Sequence, residues 1–290
     1  MKFLNCSDLI KLVRLPLSMA IAVSGAAGYL LYSRNFELRV FPLFIGILLL
    51  SSAASALNQI QERHTDALMK RTMDRPLPGG RMEVKEARLI FLVLSVSGCV
   101  ILLLMTNPAT ACLGLFNMLV YNAIYTPLKR RTALALLPGA LTGAVPPMMG
   151  WLAAGGVWSS PLILSLALFL FLWQIPHFLL LLLKYGRDYA DAGFPGVQTI
   201  AQGKNMRAIL FVWLVWTGLS SLLFPLFGII SNPVLTVVLI LANIFLLLFF
   251  FKKLFGRDQA PFRSAYLRPF YIYQALVLIL VISGNTFRLY

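Results

Sequence analysis

Asn58, Glu62 and Asp66 recur at intervals of four in the run NQIQERHTDALMKRTMDRPLPGG, which continues an apolar stretch. On a helix each such interval turns the side chain by only about 40° and raises it about 6 Å, so the three oxygen-bearing groups share one face. Two carboxylates one turn apart attract a hard divalent cation. Mg2+ in particular takes one or two carboxylates and completes its shell with water and substrate phosphate oxygens, so the pair suits a metal-bridged diphosphate better than a closed metal cage. Lys70, Arg71 and Arg75 follow within reach of the same anion, Arg offering a bidentate fork, before Pro76, Pro78, Gly79 and Gly80 end the helix. The same spacing also describes a solvated helix end laced with ion pairs, and the pattern alone leaves both readings open.

A second acidic pair, Asp188 and Asp191, is spaced by three and falls on adjoining faces if its helix continues past Lys184. For Asp191 a loop turn near Gly193 and Pro195 is the competing reading. Two acidic clusters could hold two Mg2+ ions on opposite edges of one diphosphate, while Arg and Lys neutralise the leaving pyrophosphate. His177 follows Pro176 inside an apolar run, and on a straight helix it lies roughly 16 Å deeper than Asp188. An ionisable group at that depth is costly and points to function, such as contact with an acceptor. The alternative is a neutral imidazole serving the carbonyl that Pro176 frees. His64 reads as a surface residue.

The elements that must position these groups follow from composition. The chain has 290 residues, of which 59% are hydrophobic and 12% charged. Soluble domains carry about 25% charged and 45–50% apolar residues, so a water-soluble globule is excluded, and so is a disordered chain. Apolar runs near 15–32, 40–57, 87–105, 109–128, 133–153, 161–183, 208–230, 233–251 and 266–283 predict nine transmembrane helices in an all-α polytopic protein forming a single domain, 1–290. The first is expected to be a retained helix rather than a cleaved signal. With that count all basic residues except Arg34, Arg39 and Arg288 fall on one side, which predicts a cytoplasmic N-terminus and an external C-terminus. The net charge of +15 then suits an anionic bilayer surface, with no nucleic acid implied. Two long inner connections, about 58–86 and 184–207, carry most of the ten acids and read as active-site loops.

The remaining features read as structural. Cys6, Cys99 and Cys112 have no ligand spacing and are expected to be buried free thiols. Gly139, Gly143, Pro146, Pro147 and Gly150 thin and bend one helix, for close packing or for a cavity wall. Trp151, Trp158, Tyr266, Tyr271 and Tyr273 are expected at the membrane interfaces.

The pattern Asn-x-x-x-acid-x-x-x-Asp, followed by Met69, Arg71, Thr72, Arg75, Pro76 and Leu77, resembles the signature of intramembrane prenyltransferases of the UbiA superfamily, and within it the branch that farnesylates heme. Further blocks agree in order and spacing. They are Tyr125, Thr126, Lys129, Arg130 and Thr132, then Gly139 to Trp151, then Trp173 to Phe178, and Asp188 to Pro195. The chain departs from the family pattern at Glu62, where Asp is usual, at His64, and at Gly196 and Val197. The resemblance implies an enzyme that uses Mg2+ and transfers a farnesyl group from farnesyl diphosphate to heme B, giving heme O. In it Asn58, Glu62, Asp66 and Asp188 are catalytic, and Glu62, Asp66, Asp188 and Asp191 hold metal. Lys70, Arg71, Arg75, Lys129 and Arg130 bind diphosphate, and His177 and Tyr125 meet the acceptor. It also implies residence in the lipid bilayer, of a bacterial plasma membrane or a mitochondrial inner membrane. Rival readings are a relative acting on an aromatic acid, quinone precursor or chlorophyllide, a non-catalytic homologue, and a transporter. Transporters place ionisable groups at mid-membrane between repeats, whereas these acids gather at one face.

Overall fold

The structure is a computed structural model that describes residues 5–191, 193, 205–256 and 266–286. Pro195, Gly196, Val197, Lys204, Arg257, Arg263 and Arg288, together with the side chain of Asp191, lie outside the described residues. Ten helices in chain order make up the described fold. A short α1 (Cys6–Leu12) is followed by α2 (Leu15–Ser33), α3 (Val40–Asp66), α4 (Val84–Met105) and α5 (Pro108–Leu128). Then come α6 (Ala133–Ala153), α7 (Pro161–Asp191), α8 (Met206–Leu226), α9 (Pro233–Phe255) and α10 (Leu267–Thr286). No strand occurs among them, and α2 to α10 supply the nine helices long and apolar enough to cross a membrane.

Local sequence explains where these helices start. Asn107 and Asn232 cap α5 and α9 by accepting from Thr110 N and Val234 N, both at 2.8 Å, and each is followed by Pro at the first helical position. Glu83 and Glu86 form a capping box at the head of α4. The helix bearing the first carboxylates runs nine residues past the apolar stretch predicted for it, to Asp66, so the loop there is shorter than expected.

Large apolar side chains lie on the outside of this bundle, among them Leu104, Phe245, Leu248 and Ile272. Lipid is their natural solvent. One apolar core, with Phe169, Phe224, Phe250 and Phe270, ties α7 to α8, α9 and α10. Another, with Leu43, Ile47, Leu50 and Met149, ties α2 and α3 to α6. Glycine permits the closest approach. A Cβ on Gly28 would collide with the Pro147 backbone, and one on Gly150 with the carbonyl oxygen of Gly25.

Three expectations are corrected. Trp151 is buried, its Nε1 donating to the Val157 carbonyl at 2.9 Å. Tyr273 is buried too and donates to Asn243 Oδ1 (2.7 Å), while Asn243 Nδ2 donates to Ser221 Oγ (2.9 Å). Membrane interiors keep such groups only with partners, and the partners hold these rings inside the bundle rather than on its surface. The cysteines are not buried. Cys6 and Cys112 are exposed and Cys99 is half-buried, because an apolar run in a bilayer has a lipid-facing side as well as a core side.

Because the Gly28 contact is with backbone that no side-chain rotation can relieve, Gly28→Val is expected to cost about 1–3 kcal/mol or more. Thermal unfolding in detergent should show a lowered midpoint, and an unchanged midpoint would mean that α2 and α6 are not in this contact.

Candidate active site

The inner end of α3 delivers Asn58, Glu62 and Asp66 as neighbours on one buried face. Their partners arrive from other elements. Lys129, just beyond α5, sets its Nζ 2.7 Å from Glu62 Oε1 and 2.8 Å from Oε2. Asn58 Nδ2 donates to Glu62 Oε2 (3.0 Å) and to Thr126 Oγ1 (3.1 Å). Arg75 returns from the loop after α3 to pair with Asp66 at 2.5 Å. Thr72 is buried, and its hydroxyl donates to the Asp66 carbonyl at 2.9 Å, closing the turn that brings Arg75 back.

Arg14 completes this set, and sequence reading had counted it only as a topological charge. It sits at the break between α1 and α2 in the left-handed region (φ 48°), a conformation that costs a non-glycine residue about 1–3 kcal/mol and tends to mark functional sites. The break turns its guanidinium inward, where Nη2 donates to Asn58 Oδ1 (2.7 Å) and Nη1 to the Tyr121 hydroxyl (3.3 Å). Burial works against its charge, but Tyr121, Glu62 and Asp66 more than offset this and hold its pKa above the ordinary value. Arg75 is driven the other way, by burial and then by Arg14, against the pull of Asp66. Arginine remains a cation at neutral pH either way. An arginine directly before an apolar run that opens Leu15-Pro16 was the available signal.

These groups line the polar end of a cavity of about 590 Å³, which Arg14, Glu62, Asp66, Arg71, Arg75 and Lys129 share. Four cations face two carboxylates, an excess suited to a polyanion. Next come aromatic faces. Tyr121 stacks on Tyr125 (centroids 5.4 Å apart) and Tyr125 on Phe178 (6.0 Å), with Lys129 Nζ 5.2 Å from the Tyr125 ring centre. A Cβ on Gly139 would come within 2.9 Å of Tyr125 and 3.1 Å of Phe178, so this glycine makes room for the stack. Here α5 is wound as a π-helix over Val120–Tyr125, just before Pro127, whose missing N–H cannot continue the regular ladder. Thr126 Oγ1 donates back to the Tyr121 carbonyl at 2.9 Å. Deeper in, the walls turn apolar with Ile21, Ile47, Leu50 and Met149.

His177 lines the same cavity, stacked on Trp173 (5.2 Å, 14°), with its Nδ1 3.1 Å from the Tyr271 hydroxyl. Its partner is thus Tyr271, not a carbonyl freed by Pro176. Tyr271 is accordingly a cavity residue, which the sequence reading had placed at an interface.

Other sequence-predicted groups lie further out. Asp188 is half-buried near the end of α7 and does not line the cavity. The helix does continue past Lys184 to Asp191, but Tyr185 is non-helical (φ −117°, ψ 16°), so the straight-helix depth of His177 does not apply. Arg71 nonetheless places its guanidinium carbon 4.9 Å from the Tyr185 ring centre, bringing the two acid-bearing segments to the same end of the bundle. Lys70 is exposed and outside the cavity wall, and Arg130 Nη2 donates to the Gln61 carbonyl at 2.7 Å. Among the described residues no three His, Cys, Asp or Glu side chains form a metal cage. Glu62 and Asp66 fit Mg2+ in its other mode, in which the substrate's own oxygens complete the shell.

Known proteins resemble this chain in sequence and in fold. Residues 16–274 match the UbiA prenyltransferase family. The protoheme IX farnesyltransferase of Christiangramia forsetii is 38% identical over 234 residues, covering 80% of this chain and 77% of that protein. A solved digeranylgeranylglyceryl phosphate synthase superposes with a TM-score of 0.75 at 19% identity, covering 97% of this chain and 98% of the other. A UbiA homologue from Archaeoglobus fulgidus bound to DMAPP and Mg2+ superposes with a TM-score of 0.65 at 14% identity, over 97% and 99%. At those identities the structural likeness is one of fold, whereas the sequence match decides the family. The chain belongs to the UbiA prenyltransferase family and is an all-helical integral membrane enzyme of the polyprenyltransferase class.

Proposed function

We propose that the protein transfers the farnesyl group of farnesyl diphosphate to a vinyl group of heme B, giving heme O, with Mg2+ as cofactor. The observation that carries this reading is the convergence of Glu62, Asp66, Arg14, Arg71, Arg75 and Lys129 at one end of a cavity whose depth is aromatic and then apolar. A diphosphate with a long hydrocarbon tail has that same polarity profile. The names of relatives such as the one from Christiangramia forsetii support heme as acceptor, and the Archaeoglobus fulgidus homologue bound to DMAPP and Mg2+ supports the metal. The proposal takes residues 1–290 as one domain. It sets the N-terminus in the cytoplasm of a bacterium, with the C-terminus outside, because the basic residues gather at the end that holds Glu62 and Asp66.

Glu62 and Asp66 would hold Mg2+, with Asp188 and Asp191 joining from the end of α7, and the ion would neutralise charge on the diphosphate. Arg71, Arg75, Lys129 and Arg14 take the remaining phosphate charge, with Lys70 and Arg130 at the rim, so the allylic C–O bond breaks with its electron pair leaving on pyrophosphate. Asn58 keeps Glu62 oriented. Positive charge developing on the allylic carbon faces the rings of Tyr121, Tyr125 and Phe178, which favour cations over their faces. The vinyl π electrons of heme B form the new C–C bond, water adds to the cationic carbon beside the macrocycle, and a proton is lost. His177 and Tyr125 position the macrocycle.

Purified protein in lipid with Mg2+, farnesyl diphosphate and heme B should release pyrophosphate and yield farnesylated heme by mass. Hydroxybenzoate and quinol precursors offered in parallel should stay unmodified; a prenylated aromatic acid in place of heme would assign the protein to another branch. Glu62→Gln and Asp66→Asn should each lower turnover by roughly 10²- to 10³-fold, as loss of a charge-stabilising group does. Arg14→Met should raise KM for farnesyl diphosphate roughly 10- to 100-fold, the weight of one charged hydrogen bond, with less effect on heme. His177→Ala should do the reverse, and unchanged heme affinity and turnover in that variant would remove its acceptor role.

A further inference from the structure

We infer that Gln174 holds the water molecule that ends the proposed reaction. This rests on the farnesyl-transfer reading and adds a residue to it. Gln174 lines the cavity on α7, one turn deeper than Phe178 and on the same wall as His177. Its amide finds no hydrogen-bond partner among the described residues, and neither of its polar atoms is sealed from the chamber. The amide lies over Gly143, where a Cβ would collide with its Nε2 and come within 2.9 Å of its Cγ and Cδ. That glycine, in a helix that also carries Pro146 and Pro147, gives the amide a fitted seat.

An isoprenoid tail offers an amide no hydrogen bond, and an unmet polar group in a membrane interior is destabilising. The ligand of Gln174 must therefore both donate and accept hydrogen bonds. Depth decides which one. Phe178, in the stack beside Lys129 and Glu62, faces the carbon that loses pyrophosphate, and Gln174 lies about 6 Å further along the helix. A water on the amide therefore lies between that level and the carbons reacting beside the stack. Once farnesyl C1 has bonded to the terminal vinyl carbon, the adjacent carbon is cationic. Water held by the amide donates a lone pair to it, forming C–O, and its proton leaves with pyrophosphate. Without that water the same cation loses a proton from the neighbouring CH2 and an alkene results, lighter than the alcohol by one H2O.

The test uses the full-length protein in lipid with Mg2+, farnesyl diphosphate and heme B in H2 18O, with products separated by mass. The unaltered protein should give the alcohol carrying one heavy oxygen. Gln174→Met, of similar volume, should raise the alkene-to-alcohol ratio roughly two- to tenfold, the effect of one neutral hydrogen bond, while pyrophosphate release continues. Gly143→Ala, which unseats the amide without removing it, should move the ratio the same way. An unchanged ratio in both variants, or a raised KM for heme with an unchanged ratio, overturns the assignment and leaves farnesyl transfer standing. Absence of any farnesylated heme from the unaltered protein overturns both.

Discussion

Two carboxylates buried inside a hydrophobic bundle, each paired with a cation, are the constraint on which this structure turns. Glu62 and Asp66 are almost wholly buried, and an unpaired charge there is prohibitively unfavourable. Three nearby backbone irregularities supply cations to this rim. The left-handed turn at Arg14 points a guanidinium inward, the turn closed by Thr72 returns Arg75 to Asp66, and the π-wound stretch before Lys129 delivers an ammonium to Glu62. Removing one partner from such a buried pair costs about 3–5 kcal/mol, more than most single packing contacts. The inner rim is therefore held by electrostatics, whereas the outer shell of the bundle is held by shape and lipid.

The cations exceed the carboxylates, and Arg75 shows the consequence, its charge disfavoured by burial and by Arg14. A site that satisfied its own acids with nothing to spare would have no affinity for a polyanion. This one leaves positive potential directed at the chamber, where the low dielectric strengthens it. Binding a diphosphate then relieves repulsion among guanidinium groups as well as forming new bonds. The rim thus pulls the reactive end of an amphiphile toward it while the tail remains in an apolar solvent.

How much of this was legible depended on whether the signal was periodic. The span pattern and the Asn58–Glu62–Asp66 face follow from helical geometry, and sequence reading placed both. Arg14 could not be found this way, because a basic residue before an apolar run is the ordinary mark of membrane topology, and its role depends on one unusual φ value. Tyr271 and Tyr273, two residues apart, illustrate a second limit. One faces His177 in the cavity and the other meets Asn243 in the core, a division set by the rotation of α10, which composition does not encode. The π winding of Val120–Tyr125 was invisible for a related reason, since Pro127 shows that the ladder must break without showing how.

The glycines of α6 resolve an ambiguity that sequence left open, and in doing so show how one helix serves both purposes. Gly150 meets the backbone of α2, while Gly139 and Gly143 meet side chains, a tyrosine and a phenylalanine in one case and a glutamine in the other. Close backbone packing at one end anchors the helix. Missing side chains toward the other end give up dispersion contacts that a membrane bundle needs, and that loss is tolerable only where another group fills the space. Stacked rings fill it at Gly139 and a polar amide fills it at Gly143, so chamber chemistry is written partly in the residues that are absent. A wall built this way changes character over a single turn, from aromatic rings at Gly139 to an amide at Gly143.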